Sequence, residues 1–263
     1  MGQAILARPS VFSERVARRK FFRMPATPSA PTAVPSPLAI ADAGLGYLTK
    51  LETVRGSGAD LQMRSLLDRQ QYFDPLGEAE RAGISSAAWP LFGLLWPSGR
   101  MLAHVMQSFD LEGKHILELG CGLGLASLVV HRRGGDITAS DNHPLAGEFM
   151  RQNLLLNLLP VMKYQTADWS LPSPPLERFD LIIGSDVLYD RGQPEALSQF
   201  IERHASPTAE VLIVDPDRGN RASFTRKMGV LGYSHVQTRL TQLPGEGGAY
   251  KGRLLSYRRA EQA

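Results

Sequence analysis

Apolar and polar positions divide the chain after residue 45 into short segments of two periods. Tyr47 to Val54 alternates, as a half-buried strand does, and Leu61 to Leu66 gives a return strand across the Gly56-Ser57-Gly58 turn. Residues 68–88 are polar and loop-like, with Asp74-Pro75 and Gly77. The aromatic stretch 89–99 cannot be helical throughout, but Pro97 suits the first turn of a helix carrying Met101, Leu102, Val105, Met106 and Phe109 at three- and four-residue spacing. From there strands and helices alternate. The pattern predicts a strand from His115 into a glycine loop, strands at 136–141 and 162–167, one along the apolar run Phe179 to Tyr189 and one at 209–214, with helices after Gly124 and Pro144, over 193–205 and over 220–229. Tyr233 to Leu240 and Tyr250 to Tyr257 are two closing strands, and no internal repeat is present.

Alternation of this kind predicts an α/β domain around a parallel sheet. Phe179 to Val187 is nearly continuous in apolar residues, as a central strand covered on both faces must be. In open sheets of this type ligands bind at the C-terminal edge of the strands. That edge receives Ser185, Asp186 and Tyr189 from one strand and Asp215-Pro216-Asp217-Arg218-Gly219 from the next. An ordinary turn is an equal reading of the second group.

The stretch from His115 to Ala126 carries the chemistry. A short apolar run passes Glu118, enters a loop with Gly120, Gly122 and Gly124 at every second position, and leads into a helix. Glycines there let the backbone turn sharply and approach a ligand. A dinucleotide loop reads G-x-G-x-x-G, whereas here Leu125 holds the position of its third glycine; a phosphate loop ends in Gly-Lys-Ser/Thr, which is absent. Asp141 follows Gly120 by 21 residues, the interval at which an acid receives ribose hydroxyls in nucleotide-binding βαβ units. A helix cap is the plainer role for Asp141, although Asn142 or His143 could cap equally well before Pro144.

Charge and composition narrow the classes. The formal charge is +3, but residues 1–40 hold Arg8, Arg15, Arg18, Arg19, Lys20 and Arg23 against Glu14, so the remainder is net acidic and offers no basic stripe for nucleic acid. The same residues contain Pro25, Pro28, Pro31, Pro35 and Pro37 and little to bury, as a disordered tail does; an organellar transit peptide or an early-assigned start fits the composition too. No apolar run approaches the ~20 residues of a membrane span. One cysteine excludes an intrachain disulfide, and Cys121, inside the glycine loop, reads as a packing residue. Six scattered histidines give no metal-ligand spacing, so no metal site is expected. The expectation is a cytoplasmic monomer without membrane or nucleic-acid partners.

The E-x-G-x-G-x-G motif resembles motif I of the class I methyltransferases that use S-adenosyl-L-methionine. Ser185-Asp186-Val187-Leu188-Tyr189 resembles the D/E-x-x-Y signature of the seven-strand protein lysine methyltransferases, methyltransferase family 16, and Trp96-Pro97 resembles the helix entry of the same group. The resemblance implies a Rossmann-like, doubly wound, seven-stranded and mostly parallel sheet with an antiparallel final strand over 95–258, preceded by a β-hairpin extension over 41–94. It implies that Glu118 sits near the methionine end of the cofactor with Gly120, Gly122 and Gly124 passing under it. Asp141 and Asn142 would meet the ribose, Asp168 the adenine amino group and Trp169 the ring, with Trp96 and Ser185 bordering the cofactor. Asp186 and Tyr189 would form the catalytic mouth. The implied activity is N-methylation of a lysine on a protein substrate. The Asp-Pro-Asp-Arg loop departs from the animal members and resembles bacterial relatives described as nicotinamide N-methylases, which keeps a small amine open as the acceptor. A cofactor-binding module without catalysis is a third reading, against which the intact Asp186 and Tyr189 speak.

Overall fold

A computed structural model describes residues 39–40, 46–170, 177–245 and 248–259. The expected tail over 1–40 lies outside the described residues except for its last two, and so do residues 41–45 of the expected extension.

Seven strands form the main sheet: β4 (His115–Leu119), β5 (Asp136–Asp141), β6 (Lys163–Thr166), β7 (Phe179–Ser185), β8 (Ala205–Asp215), β9 (Ser234–Gln242) and β10 (Ala249–Arg258). Their order is β6-β5-β4-β7-β8-β10-β9. β4 pairs in parallel with β5 and β7, and the strand order reverses there, which opens a crevice above the C-terminal end of β4. β10 runs antiparallel to both β8 and β9, as the resemblance implies for the final strand.

Both faces of the sheet are covered, which explains the continuous apolar runs. Ile116, Leu181 and Ile183 face one core, shared with helices α2 (Pro97–Ser108), α3 (Leu125–Arg132) and α4 (Ala146–Leu156). Leu117, Leu119 and Ile182 face the other, shared with α5 (Gln193–His204) and α6 (Arg221–Val230).

The N-terminal hairpin is β2 (Thr49–Val54) and β3 (Leu61–Leu66), and Tyr47, Val54, Leu61, Met63 and Leu66 belong to the first core. Asn153 on α4 and Asn157 at its C-cap close the free edge of β3. Asn153 accepts from Arg64 N at 2.7 Å and donates to Arg64 O at 3.2 Å; Asn157 accepts from Gln62 N and donates to Gln62 O, both at 2.8 Å. Each carboxamide turns one N–H and its carbonyl oxygen to the strand, as the next strand of a sheet would.

Three elements differ from expectation. Ala39–Ile40 forms β1 and pairs with Thr49 and Lys50, so the sheet has three strands and the expected tail's last two residues belong to it. Within the expected loop 68–88, Glu78–Arg81 forms the short helix α1, its first amides held by Asp74; a single turn is too short to show a period. β8 starts at Ala205, directly after α5, because Ala205 pairs with Phe179 ahead of a register shift.

Candidate functional site

The C-terminal ends of β4, β5, β6 and β7 open onto one cavity of about 850 Å³. Trp96, Glu118, Gly120, Gly122, Asp141, Asn142, Asp168, Trp169, Ser185, Asp186 and Tyr189 all line it; of the expected site residues only Gly124 does not. Gly124 is the left-handed N-cap of α3 (φ 74°), and a Cβ there would lie 3.0 Å from Met150 Cγ, on the core side. Its glycine is required by the helix start rather than by a ligand. Gly122 also takes a left-handed φ of 52°, but a Cβ on it would meet the Phe92 carbonyl oxygen at 2.7 Å. The loop therefore needs this glycine for its own backbone packing, not only for a ligand's path.

Two carboxylates lie buried at the base. Glu118 Oε2 accepts 2.8 Å from the amide of Ser127 in the first turn of α3 and also from the Ser127 hydroxyl, so strand and helix are tied by the side chain. Oε1 takes no hydrogen bond from the described residues. Burial pushes the Glu118 carboxyl up to about 7, against the opposing pull of the Ser127 bonds. Asp141 Oδ2 accepts from Gly122 N at 2.8 Å and Oδ1 from His143 N at 2.9 Å, so it fastens the glycine loop to the end of β5 while lining the cavity; burial raises its pKa as well. Beside them Cys121 is buried and its thiol is held well above its ordinary value by desolvation, as a packing role requires.

The walls are aromatic. Trp96 precedes α2 in extended conformation and anchors its indole Nε1 on Leu91 O at 2.8 Å, with the Arg69 guanidinium 4.8 Å over the ring. The Trp169 ring lies against Gly120, where a Cβ would stand 3.4 Å from the ring and 3.1 Å from Val187 Cγ1. Asp168 bonds the amide and hydroxyl of Ser170 and shapes the turn that carries Trp169. Gly99 on α2 brings that helix close to Ser185.

Three cavity residues outside the expected site set bear on its chemistry: Phe92, His143 and Arg218. Phe92 and His143 stack at 3.6 Å between ring centroids; burial lowers the His143 pKa to about 3, so the imidazole is neutral. The third, Arg218, changes the reading of Asp186. The resemblance places Asp186 in the catalytic mouth and names no partner for it. In the structure Arg218 Nε and Nη2 each reach one of its oxygens at 2.8 Å, a bidentate pair. Asp186 itself adopts a left-handed φ of 53°, and its amide donates to Val214 O at 2.8 Å. Arg218 is supplied by the Asp-Pro-Asp-Arg loop. Buried Asp215 accepts the Arg218 amide at 2.8 Å, and Asp217 (φ 64°) pairs with Arg221 and with Arg253 Nε at 2.9 Å. The loop is a built scaffold for one guanidinium, and its position at the binding edge was the available sequence signal. Tyr189 stands more than half exposed at the mouth.

Among the described residues no cluster could hold a metal ion, and no helix is long and apolar enough to cross a membrane.

Residues 86–228 match the model of a family described as lysine methyltransferase. The electron transfer flavoprotein beta subunit lysine methyltransferase of Xenopus laevis is 30% identical over 138 residues, covering 51% of this chain and 55% of that protein. A histidine protein methyltransferase 1 homolog of Dictyostelium discoideum is 34% identical over 103 residues, 37% of this chain and 33% of its own. The chain thus spans about half the length, or less, of these curated relatives. A methyltransferase structure from Pyrococcus furiosus superposes with a TM-score of 0.51 at 17% identity, covering 61% of this chain and 83% of that one, which shows the fold.

Proposed function

We propose that this chain, which belongs to the lysine methyltransferase family, transfers a methyl group from S-adenosyl-L-methionine to the amine of a lysine side chain on a protein. The observation that carries the reading is the single cavity in which the glycine turn, two buried carboxylates and the Asp186–Tyr189 mouth converge.

The residues present fit the cofactor. Asp141 is held by backbone amides through both oxygens and still lines the cavity, where its carboxylate can accept ribose hydroxyls. Glu118 keeps Oε1 for a cationic group. Trp169 and Asp168 would take the adenine, and Trp96 and Ser185 would border the reacting end. When bound, the cofactor supplies a methyl group already activated by its sulfonium.

The chain's own residues then need only hold and orient the acceptor. A lysine amine has an ordinary pKa of about 10.4, and a bare carboxylate beside it would keep it protonated and unreactive. Asp186 is therefore assigned to orientation, through a hydrogen bond accepted from the amine, with Tyr189 forming the wall of the same mouth. The proton leaves to water. The same proposal has the protein act as a cytoplasmic monomer; for a protein rather than a nucleic-acid acceptor, the support is the acid excess of the chain after residue 40.

The test is transfer of labelled methyl groups into a cell lysate, with protein and small-molecule fractions counted separately. Label in protein is the expected result. Label confined to small molecules would replace the lysine acceptor with a small amine, and binding of NAD without any response to S-adenosylhomocysteine would remove the methyltransferase reading altogether.

A further inference from the structure

Asp186 reaches the cavity already paired, and the pairing is built rather than incidental. Both guanidinium contacts are 2.8 Å, the Arg218 amide is fixed by buried Asp215, and Asp217 is engaged by Arg221 and Arg253 and so does not compete for Arg218. The carboxylate is 14% exposed and the guanidinium 43%, so the pair sits at the boundary between cavity and solvent.

Resting on the lysine reading above, we infer that Arg218 is a positioning residue for the acceptor: it offsets the charge of Asp186 so that the carboxylate can orient a neutral amine without holding it as an ammonium. With one guanidinium N–H on each oxygen, the carboxylate still has a lone pair on each that can accept an N–H from a neutral amine. The full negative charge would favour the ammonium, and the opposite charge bound in bidentate fashion removes most of that preference. The lysine ammonium releases one proton to water. The nitrogen lone pair then forms the N–C bond while the methyl–sulfur bond breaks with its electrons remaining on sulfur, so the positive charge passes from sulfur to nitrogen.

Other charged groups face the pair, and none replaces Arg218. Asp215 and Asp217 come from the loop after β8, and Tyr189 and Asp190 from the segment after β7. Tyr250 on β10 donates to or accepts from Ser98 and is pushed up to about 12 by burial, so it stays neutral. Asp190 bonds the amide of Gly192 at the entry to α5. Arg69, the other cavity cation, sits over Trp96.

The experiment measures initial labelled transfer into the protein fraction of a lysate from pH 6 to 10 for the wild type, Arg218→Gln and Arg218→Lys. Removing the guanidinium leaves Asp186 unbalanced, so the rising limb for Arg218→Gln should move about one pH unit or more to the alkaline side, while Arg218→Lys keeps most of the wild-type profile. Superimposed wild-type and Arg218→Gln profiles would overturn the inference. Absence of labelled protein at every pH would instead remove the lysine reading on which it rests. A readout independent of turnover, and of whether Arg218→Gln folds, is the side-chain Nε–H resonance of Arg218 in the full protein. Asp186→Asn should shift it and speed its exchange; an unmoved resonance would show that the pair does not form.

Discussion

Glu118→Gln separates two consequences of burying a carboxylate. In the folded chain the Glu118 carboxyl is raised from 4.5 to about 7 by burial, so the unfolded chain gives up its proton first as pH rises. A raised carboxyl therefore costs stability above the unfolded value, and the cost grows until pH passes the folded value. With these two values the penalty is about 1 kcal/mol at pH 5 and about 3 kcal/mol at pH 8, at ~1.36 kcal/mol for each pH unit. Glutamine keeps an oxygen for both Ser127 bonds and does not ionise. Urea denaturation of the ligand-free proteins at pH 5, 6.5 and 8 measures the difference, because the other titrating groups are common to both chains and the repulsion between Asp141 and Glu118, lost in the variant, acts in the same direction. The variant should gain about 2 kcal/mol on the wild type between pH 5 and pH 8. The same variant should bind S-adenosylhomocysteine more weakly, since it loses the charge facing the cavity. Parallel stability profiles, or a wild type that gains on the variant with pH, would refute the claim that this acid is buried at a cost retained for ligand binding.

Asp186→Asn keeps the size of the side chain and suits the left-handed backbone, so thermal stability should change by no more than about 1 kcal/mol, the scale of a partly exposed pair. Methyl transfer should fall about a hundredfold, as expected for a misplaced acceptor, and a fully active variant would remove Asp186 from the chemistry. Gly122→Ala places a Cβ 2.7 Å from the Phe92 carbonyl oxygen at a φ of 52°. It should cost roughly 1–3 kcal/mol in a melt without ligand, whereas an unchanged melt with lost cofactor binding would return the residue to a purely ligand-facing role. Asn153→Ala removes the carboxamide that meets both the amide and the carbonyl of Arg64, and should cost about 1 kcal/mol or more in denaturation and speed exchange of the Arg64 amide; unaltered exchange would show that β3 is held by other contacts.

The strands and helices of the main sheet were legible because each is long enough to show a period or a buried run, and the glycine turn because its spacing excludes the alternatives. Glu118 and Asp141 could be named from position, but not the backbone bonds that make them structural as well as ligand-facing. Gly124 was placed in the site because spacing cannot distinguish a glycine needed for a ligand from one needed for a left-handed helix cap. Arg218 could be put at the binding edge, but not its pairing with Asp186, because that partner lies 32 residues earlier in the chain and only the packing of adjacent parallel strands brings the two loops together. Asn153 and Asn157 show the same limit. An amide that completes a strand edge looks, in sequence, like any polar residue on or beside a helix.

The central claim is that this cavity delivers a methyl group to a lysine nitrogen. The most direct measurement is hydrolysis of the labelled lysate protein to amino acids, followed by separation of the labelled species. The label should be recovered as N-methylated lysines and be nearly absent with Asp186→Asn. Label recovered as methylated histidine, as the likeness to a histidine protein methyltransferase makes worth resolving, or label at equal level with Asp186→Asn, would contradict it.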